Sequence, residues 1–102
     1  MNEIPNQELN IELNDEVAEG VFSNLALINH APTEFVIDFI QVMPGMPKAK
    51  VRSRIILTPQ HAKRLLHAMA DNIAKFEQQF GVIKEQDAPN IPINFGSPQG
   101  EA

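Results

Sequence analysis

The sequence predicts an α+β domain in which a four-stranded antiparallel meander is followed by one long amphipathic helix. Short apolar segments rich in β-branched and aromatic residues fill the first half of the chain, and turns containing Pro or Asn separate them. A single helical pattern with a clear start and end follows these segments. A run of strands that precedes a helix is typical of this class.

The first predicted strand covers residues 8–13. Leu9, Ile11 and Leu13 alternate there with polar residues, which is the period of a strand with one apolar face. An acidic turn at residues 15–20 then leads into a second predicted strand at residues 21–29.

The third and fourth predicted strands lie on either side of a proline-containing loop. Asn and Pro turn residues at positions 29–33 precede the third strand, at residues 35–43. Residues 43–47 include Pro44, Gly45 and Pro47 and predict a hairpin loop, because proline lacks the donor that a strand ladder needs. The fourth strand follows at residues 48–57.

The helix is predicted from Thr58 to Gly81. Thr58 suits the N-cap, Pro59 suits the first helical turn, and Gly81 suits the position after the last turn. Apolar residues recur between them at spacings of three and four, which predicts a helix with one apolar face belonging to the core. These residues are Ala62, Leu65, Leu66, Met69, Ile73, Phe76 and Phe80.

Composition favours one small domain at residues 8–81, with flexible termini at residues 1–7 and 84–102. The chain has 102 residues, of which 43% are hydrophobic and 21% are charged. It has no cysteine, which excludes disulfides and is compatible with a reducing compartment. No stretch reaches the roughly 20 apolar residues of a membrane span. We therefore expect a soluble cytoplasmic protein that does not act at a membrane.

The two middle strands predict an oligomer. Residues 21–29 and 35–43 are apolar on both sides of the strand, but one helix covers only one face of a sheet. A soluble monomer rarely exposes an apolar sheet face of several hundred Å². We therefore expect the chain to bind itself, as a homodimer or a higher oligomer.

Asp38 interrupts the apolar third strand. A buried carboxylate needs a partner, and the neighbouring strand carries Arg52 and Arg54. We therefore expect Asp38 to pair with one of these two arginines.

Six of the eight basic residues lie between positions 48 and 64, whereas the first 47 residues contain eight carboxylates and no Lys or Arg. Alternate positions of a strand share one face, so four of these cations would form a row about 20 Å long. The candidate interaction surface consists of Lys48, Lys50, Arg52, Arg54, Lys63 and Arg64.

Three interpretations of this basic segment remain open. It keeps an edge strand soluble, it pairs with the acidic first half of the chain, or it binds nucleic acid through phosphates. The net charge of −5 and the lack of Trp and Tyr disfavour nucleic acid.

No pattern in the sequence predicts an enzyme. His30, His61 and His67 lack the spacing of metal ligands, the serines lack a nucleophile motif, and the five glycines form no phosphate-binding loop. We expect no catalytic residue, no metal and no cofactor.

Three motifs resemble those of a family of small bacterial proteins classed as a domain of unknown function. They are Gly-x-aromatic-x-Asn at residues 20–24, Glu-Phe-x-x-Asp-Phe at residues 34–39, and Ser-Arg-Ile-x-x-Thr-Pro-x-His-Ala-Lys at residues 53–63. The resemblance covers roughly residues 8–81. It brings no established catalytic residues, and it implies an accessory role in transcription with RNA polymerase as a partner.

The order of elements is also similar to that of SecB-type export chaperones, which are oligomers that hold unfolded chains. We therefore expect a non-catalytic, oligomeric binding or accessory protein. The alternatives are a SecB-like chaperone and a nucleic-acid-binding protein that uses residues 48–54.

Overall fold

A computed structural model describes residues 8–85 and shows an α+β fold of three antiparallel strands followed by one long helix. A short helix, α1 (Asp15–Ala18), comes first. The strands are β1 (Leu25–Ala31), β2 (Glu34–Gln41) and β3 (Lys50–Leu57), and the long helix is α2 (Pro59–Phe80).

The three strands form a meander with β2 in the centre. β1 pairs with β2 through a tight turn at Pro32 and Thr33, and β2 pairs with β3 through the loop that contains Gly45. Gly45 has a φ of 79°, a conformation that favours glycine, and Met46 N–H donates to the Met43 carbonyl at 3.2 Å. The predicted hairpin loop at residues 43–47 is therefore confirmed.

The prediction of a first strand at residues 8–13 is wrong, and the described structure has three strands instead of four. Leu9 and Ile11 are 86% and 84% exposed, and the segment forms no ladder. Asn14 instead caps α1, since its side chain accepts a hydrogen bond from Val17 N–H at 2.9 Å. Alternation makes a segment suitable for a sheet, but a strand also needs a partner that meets its backbone.

The predicted ends of the long helix are confirmed. Thr58 Oγ1 accepts a hydrogen bond from His61 N–H at 3.1 Å, and Pro59 occupies the first turn. Gly81 ends the helix with a φ of 99°, and its N–H donates to the Glu77 carbonyl.

Among the described residues the helix does not cover a face of the sheet, so the prediction that its apolar face belongs to the core is wrong for residues 8–85. No residue of α2 is buried, and the helix approaches only β2 and β3. A single residue, Thr58, separates β3 from α2, which is shorter than the usual connection that folds a helix back over a sheet. Most of the helix therefore has no neighbouring element among residues 8–85.

The buried residues belong almost entirely to β2. They are Ile37, Asp38 and Ile40, joined by Leu57 from the end of β3. Ile37 and Asp38 are adjacent and point to opposite faces of the sheet, so β2 is covered on both faces. The predicted flexible termini, residues 1–7 and 84–102, lie outside the described residues except for Lys84 and Glu85.

Candidate interaction surface

The basic segment of residues 48–54 does not form a single straight row. β3 begins at Lys50, so Lys48 belongs to the loop that precedes it. The register then shifts inside the strand, because Ser53 faces Phe39 whereas Val51 faces Ile40. Arg52 is the additional residue of a β-bulge and has no position opposite it on β2.

The bulge sends the cations to different faces of the sheet. Residues opposite each other on paired strands share a face, so Lys50 lies with Gln41 and Arg54 lies with Asp38. Gln41 and Asp38 are three positions apart on β2 and therefore point to opposite faces. A phosphate backbone that follows one face of β3 meets Lys50 or Arg54, but not both.

Arg54 is held by Asp38. Its Nε and one terminal nitrogen donate to the two carboxylate oxygens at 2.6 and 2.9 Å, a bidentate geometry. Asp38 is only 1% exposed, whereas the Arg54 side chain is 60% exposed. The expected pairing of Asp38 with an arginine of the next strand is confirmed, and Arg54 is the partner.

The pair changes the titration of both groups. The hydrogen bonds from Arg54 lower the pKa of Asp38 below its ordinary value of 3.8, against the opposing effect of burial. The pKa of Arg54 is raised by the same hydrogen bonds and by the carboxylate charge. Asp38 therefore remains ionised at neutral pH, and the Arg54 charge is neutralised within the fold.

The remaining cations of the segment border a shallow, open depression of about 220 Å³. Arg52 donates a hydrogen bond of 2.6 Å to Gln41 Oε1, which keeps its guanidinium at this site. The depression combines thioether and cationic side chains, so it suits an acidic or apolar side chain of a binding partner. Its lining residues are Gln41, Met43, Met46, Lys48, Lys50 and Arg52. The sequence analysis missed Gln41 and the two methionines, because only the fold places the loop beside β3.

Lys63 and Arg64, the other two candidates, lie near the start of α2. Consecutive helical residues point about 100° apart, so these two cations do not share a face. Lys63 borders the apolar stripe of the helix, and Arg64 points away from that stripe.

The described residues also expose many large apolar side chains. Leu66 is 64% exposed and Phe80 is 66% exposed, at opposite ends of a stripe that runs along α2. Ile28, Ile55 and Ile56 are also exposed on the sheet. The apolar residues of α2 were found by their period, but the sequence analysis assigned them to the core of the same chain.

In the part of the chain that the structure describes, no helix combines the length and the apolar character needed to cross a membrane. Within residues 8–85, no three His, Cys, Asp or Glu side chains are grouped so that they would hold a metal ion.

Comparison with known proteins identifies the family. Residues 1–85 match the family described as "Protein of unknown function (DUF3467)". The chain belongs to this family. The family resemblance seen in the three sequence motifs is therefore confirmed, and the match reaches the N-terminus, beyond the range of those motifs. No curated protein and no solved structure matches the chain.

Proposed function

We propose that this member of the DUF3467 family is a non-catalytic, homo-oligomeric binding or accessory protein. The observation that carries the proposal is the apolar stripe of α2, which no part of residues 8–85 covers. A helix of this kind is stable when its apolar face meets another surface. Every solution of the protein contains further copies of this chain, so self-association is the simplest way to cover the apolar stripe.

The amount of apolar surface supports association. The six large apolar residues of α2 together expose the equivalent of about three whole residues, roughly 500 Å² per copy. They are Leu65, Leu66, Met69, Ile73, Phe76 and Phe80. The largest apolar patch on an ordinary monomer is about 300–600 Å² in total. Here the stripe reaches that size before the exposed isoleucines of the sheet are added.

The proposal assigns no catalytic step to the described residues. Asp38 is their one buried ionisable side chain, and its carboxylate oxygens are both engaged by Arg54. A group held in this way stabilises the fold and is not free to exchange protons with a substrate. The proposal places the oligomer in the cytoplasm, with which a chain without cysteine is compatible.

Light scattering coupled to size exclusion tests the oligomer directly. We expect a mass of at least twice 11.4 kDa at micromolar concentration. Leu66→Glu should return the mass to that of a monomer, because it places a charge on the apolar stripe. His67→Glu is the matched control, since His67 lies on the other side of the helix and should leave the oligomer intact. A mass near 11.4 kDa for the unaltered protein at every concentration would reject the proposal.

A SecB-like holder of unfolded chains is the second candidate. The sheet favours it, because β1 and β3 each have one edge without a partner strand among residues 8–85. An extended peptide can add to such an edge, and the exposed Ile28 and Ile56 offer apolar contacts beside it. The oligomer should then suppress the aggregation of a denatured client enzyme at stoichiometric amounts.

An affinity pull-down from native cells separates the roles that an oligomer can have. RNA polymerase subunits among the captured proteins would support an accessory role in transcription. A broad mixture of unfolded clients would support the chaperone. Nucleic acid that is released by salt would instead support binding through residues 48–54.

A further inference from the structure

The apolar residues of α2 have the spacing of a seam between two helices. Leu66, Met69, Ile73, Phe76 and Phe80 follow one another at alternating intervals of three and four, with Ala62 four residues earlier. These residues follow the a and d pattern of a heptad repeat, and Leu65 lies beside them at the flanking g position. The opposite side of the helix carries the Asp71–Lys75 ion pair, whose closest atoms are 3.1 Å apart.

We propose that α2 pairs with α2 of a second copy in antiparallel orientation, about a two-fold axis that crosses the apolar seam at the level of residue 71. The inference rests on the proposed function and specifies its interface. It commits to one occupant of the apolar stripe, a second copy of this chain, and to one direction and one register.

Side-chain size selects this register. Positions equally distant from Asp71 meet across such an axis: Leu66 is five residues before it and Phe76 five after, while Ala62 is nine before and Phe80 nine after. Each small or medium side chain therefore meets a phenylalanine of the second copy. Met69 and Ile73, two residues on either side of the axis, form the central layer. Alternating large and small residues fill the space between helices at native density.

The parallel alternative fits less well. It places every residue opposite its own copy, so Phe76 meets Phe76, Phe80 meets Phe80 and Ala62 meets Ala62. Large residues then crowd one end of the seam, and small residues leave a gap at the other.

Charge also favours the antiparallel orientation. Lys63 and Glu77 occupy the same flank of the seam, eight residues before Asp71 and six residues after it. The antiparallel pair brings Lys63 of each copy beside Glu77 of the other, within half a helical turn. A parallel pair leaves both residues without an opposite charge across the seam. The symmetric arrangement therefore adds two ion pairs at its two ends.

The area is sufficient for association. Two stripes bury roughly 1,000 Å² in total, which is at the lower limit for a specific interface. The start of α2 lies next to β2 and β3, so contacts with the sheet of the second copy can enlarge this area.

Cysteine cross-linking tests direction and register, and the chain suits it because it has no native cysteine. A mixture of Leu66→Cys and a mass-tagged Phe76→Cys should form a mixed disulfide on mild oxidation, because these positions meet across the seam. Either variant alone should give little dimer, since identical positions lie about ten residues, or 15 Å, apart along the helix axis. A disulfide dimer from each variant alone would establish the parallel orientation and overturn the inference.

The outcomes separate this interface from the proposed oligomer. An unaltered protein that is monomeric by light scattering would reject the oligomer and the helix pair together. An oligomeric mass without a mixed disulfide would overturn the helix pair and leave the oligomer, with α2 covered by another surface such as the sheet of a second copy.

A charge exchange provides an independent test with small changes in volume. Lys63→Glu should raise the dissociation constant of the dimer about tenfold, because two attractions become repulsions. The double variant Lys63→Glu, Glu77→Lys should restore most of the original affinity, and it also removes the 3.0 Å hydrogen bond that Ile83 N–H donates to Glu77 Oε2 at the end of the helix. Arg64→Glu is the matched control, with the same change of charge on the adjacent residue but away from the seam. Equal weakening by Lys63→Glu and Arg64→Glu, or no rescue in the double variant, would overturn the inference.

Discussion

β2 and α2 are both rich in apolar residues, but the fold treats them in opposite ways. β2 contributes three of the four buried residues of the described structure, and α2 contributes none. A central strand has a paired neighbour on each side, so the side chains of both neighbours flank its own side chains on each face of the sheet. A helix completes its backbone hydrogen bonds internally. A helix can therefore form while its apolar side chains stay exposed, as those of α2 are within residues 8–85.

The comparison predicts that changes in β2 alter the stability of each chain, whereas changes in α2 alter association. The largest effect should come from removing the partner of Asp38. Arg54→Met leaves the buried, ionised carboxylate of Asp38 without its partner, so it should lower the free energy of unfolding more than Ile40→Ala does. Urea denaturation measures it.

The double variant Asp38→Leu, Arg54→Met is the control for this prediction. It removes both charges, so it should be more stable than Arg54→Met alone. Equal or lower stability of the double variant would show that the Asp38 carboxylate tolerates the loss of its partner.

The same pair predicts a dependence on pH. The folded state lowers the pKa of Asp38 below its ordinary value of 3.8. The contribution of Asp38 to the free energy of unfolding is therefore fully present at a pH above that ordinary value, and it is lost as the pH falls through the pKa of the folded state. The difference in unfolding free energy between the unaltered protein and Asp38→Asn should be constant from pH 7 to pH 5 and should shrink in more acidic solution. A difference that grows on acidification would contradict the lowered pKa.

Truncation in the centre of the sheet should have the next largest effect. Ile40 is buried on the same face of β2 as Asp38. Ile40→Ala should lower the free energy of unfolding by about 3 kcal/mol. Because the residue is buried within one chain, this cost should be the same at low and high protein concentration. Chemical denaturation at two concentrations checks both points.

Truncation on the helix should behave differently. In the separate chain Leu66 is largely exposed, so Leu66→Ala should cost less than about 1 kcal/mol when the protein is dilute. The cost should rise towards 2 kcal/mol or more once the oligomer forms and buries the residue. A cost of Leu66→Ala that is independent of concentration would mean that α2 is covered within its own chain.

The smallest effect should come from the cations that do not engage a buried group. Lys50→Gln together with Arg52→Gln should change the unfolding free energy by no more than about 0.5 kcal/mol, because both side chains are exposed. The bulge sends Lys50 and Arg54 to opposite faces of the sheet, so we expect the unaltered protein to show no salt-sensitive binding to nucleic acid. The double variant should then have no such binding to lose. A submicromolar complex with DNA or RNA that disappears in the variant would reverse this expectation.

The sequence by itself determined the features that depend on neighbouring residues. Thr58, Pro59 and Gly81 mark the ends of α2 because capping uses groups within one turn of the helix. Gly45 and its flanking prolines mark a loop for the same local reason. The need of Asp38 for a cation also follows from its position in an apolar strand.

Only the tertiary structure decided which partner each segment meets. The alternation at residues 8–13 suits a strand, but the folded sheet does not pair with it. The bulge at Arg52 arises from the match between two strands and cannot be read from either one, yet it separates Lys50 from Arg54. The period of α2 shows that one face is apolar, but the surface that covers this face depends on where the helix lies. The period of apolar residues shows which face of a helix or strand is buried favourably, but only the tertiary structure determines which surface packs against that face.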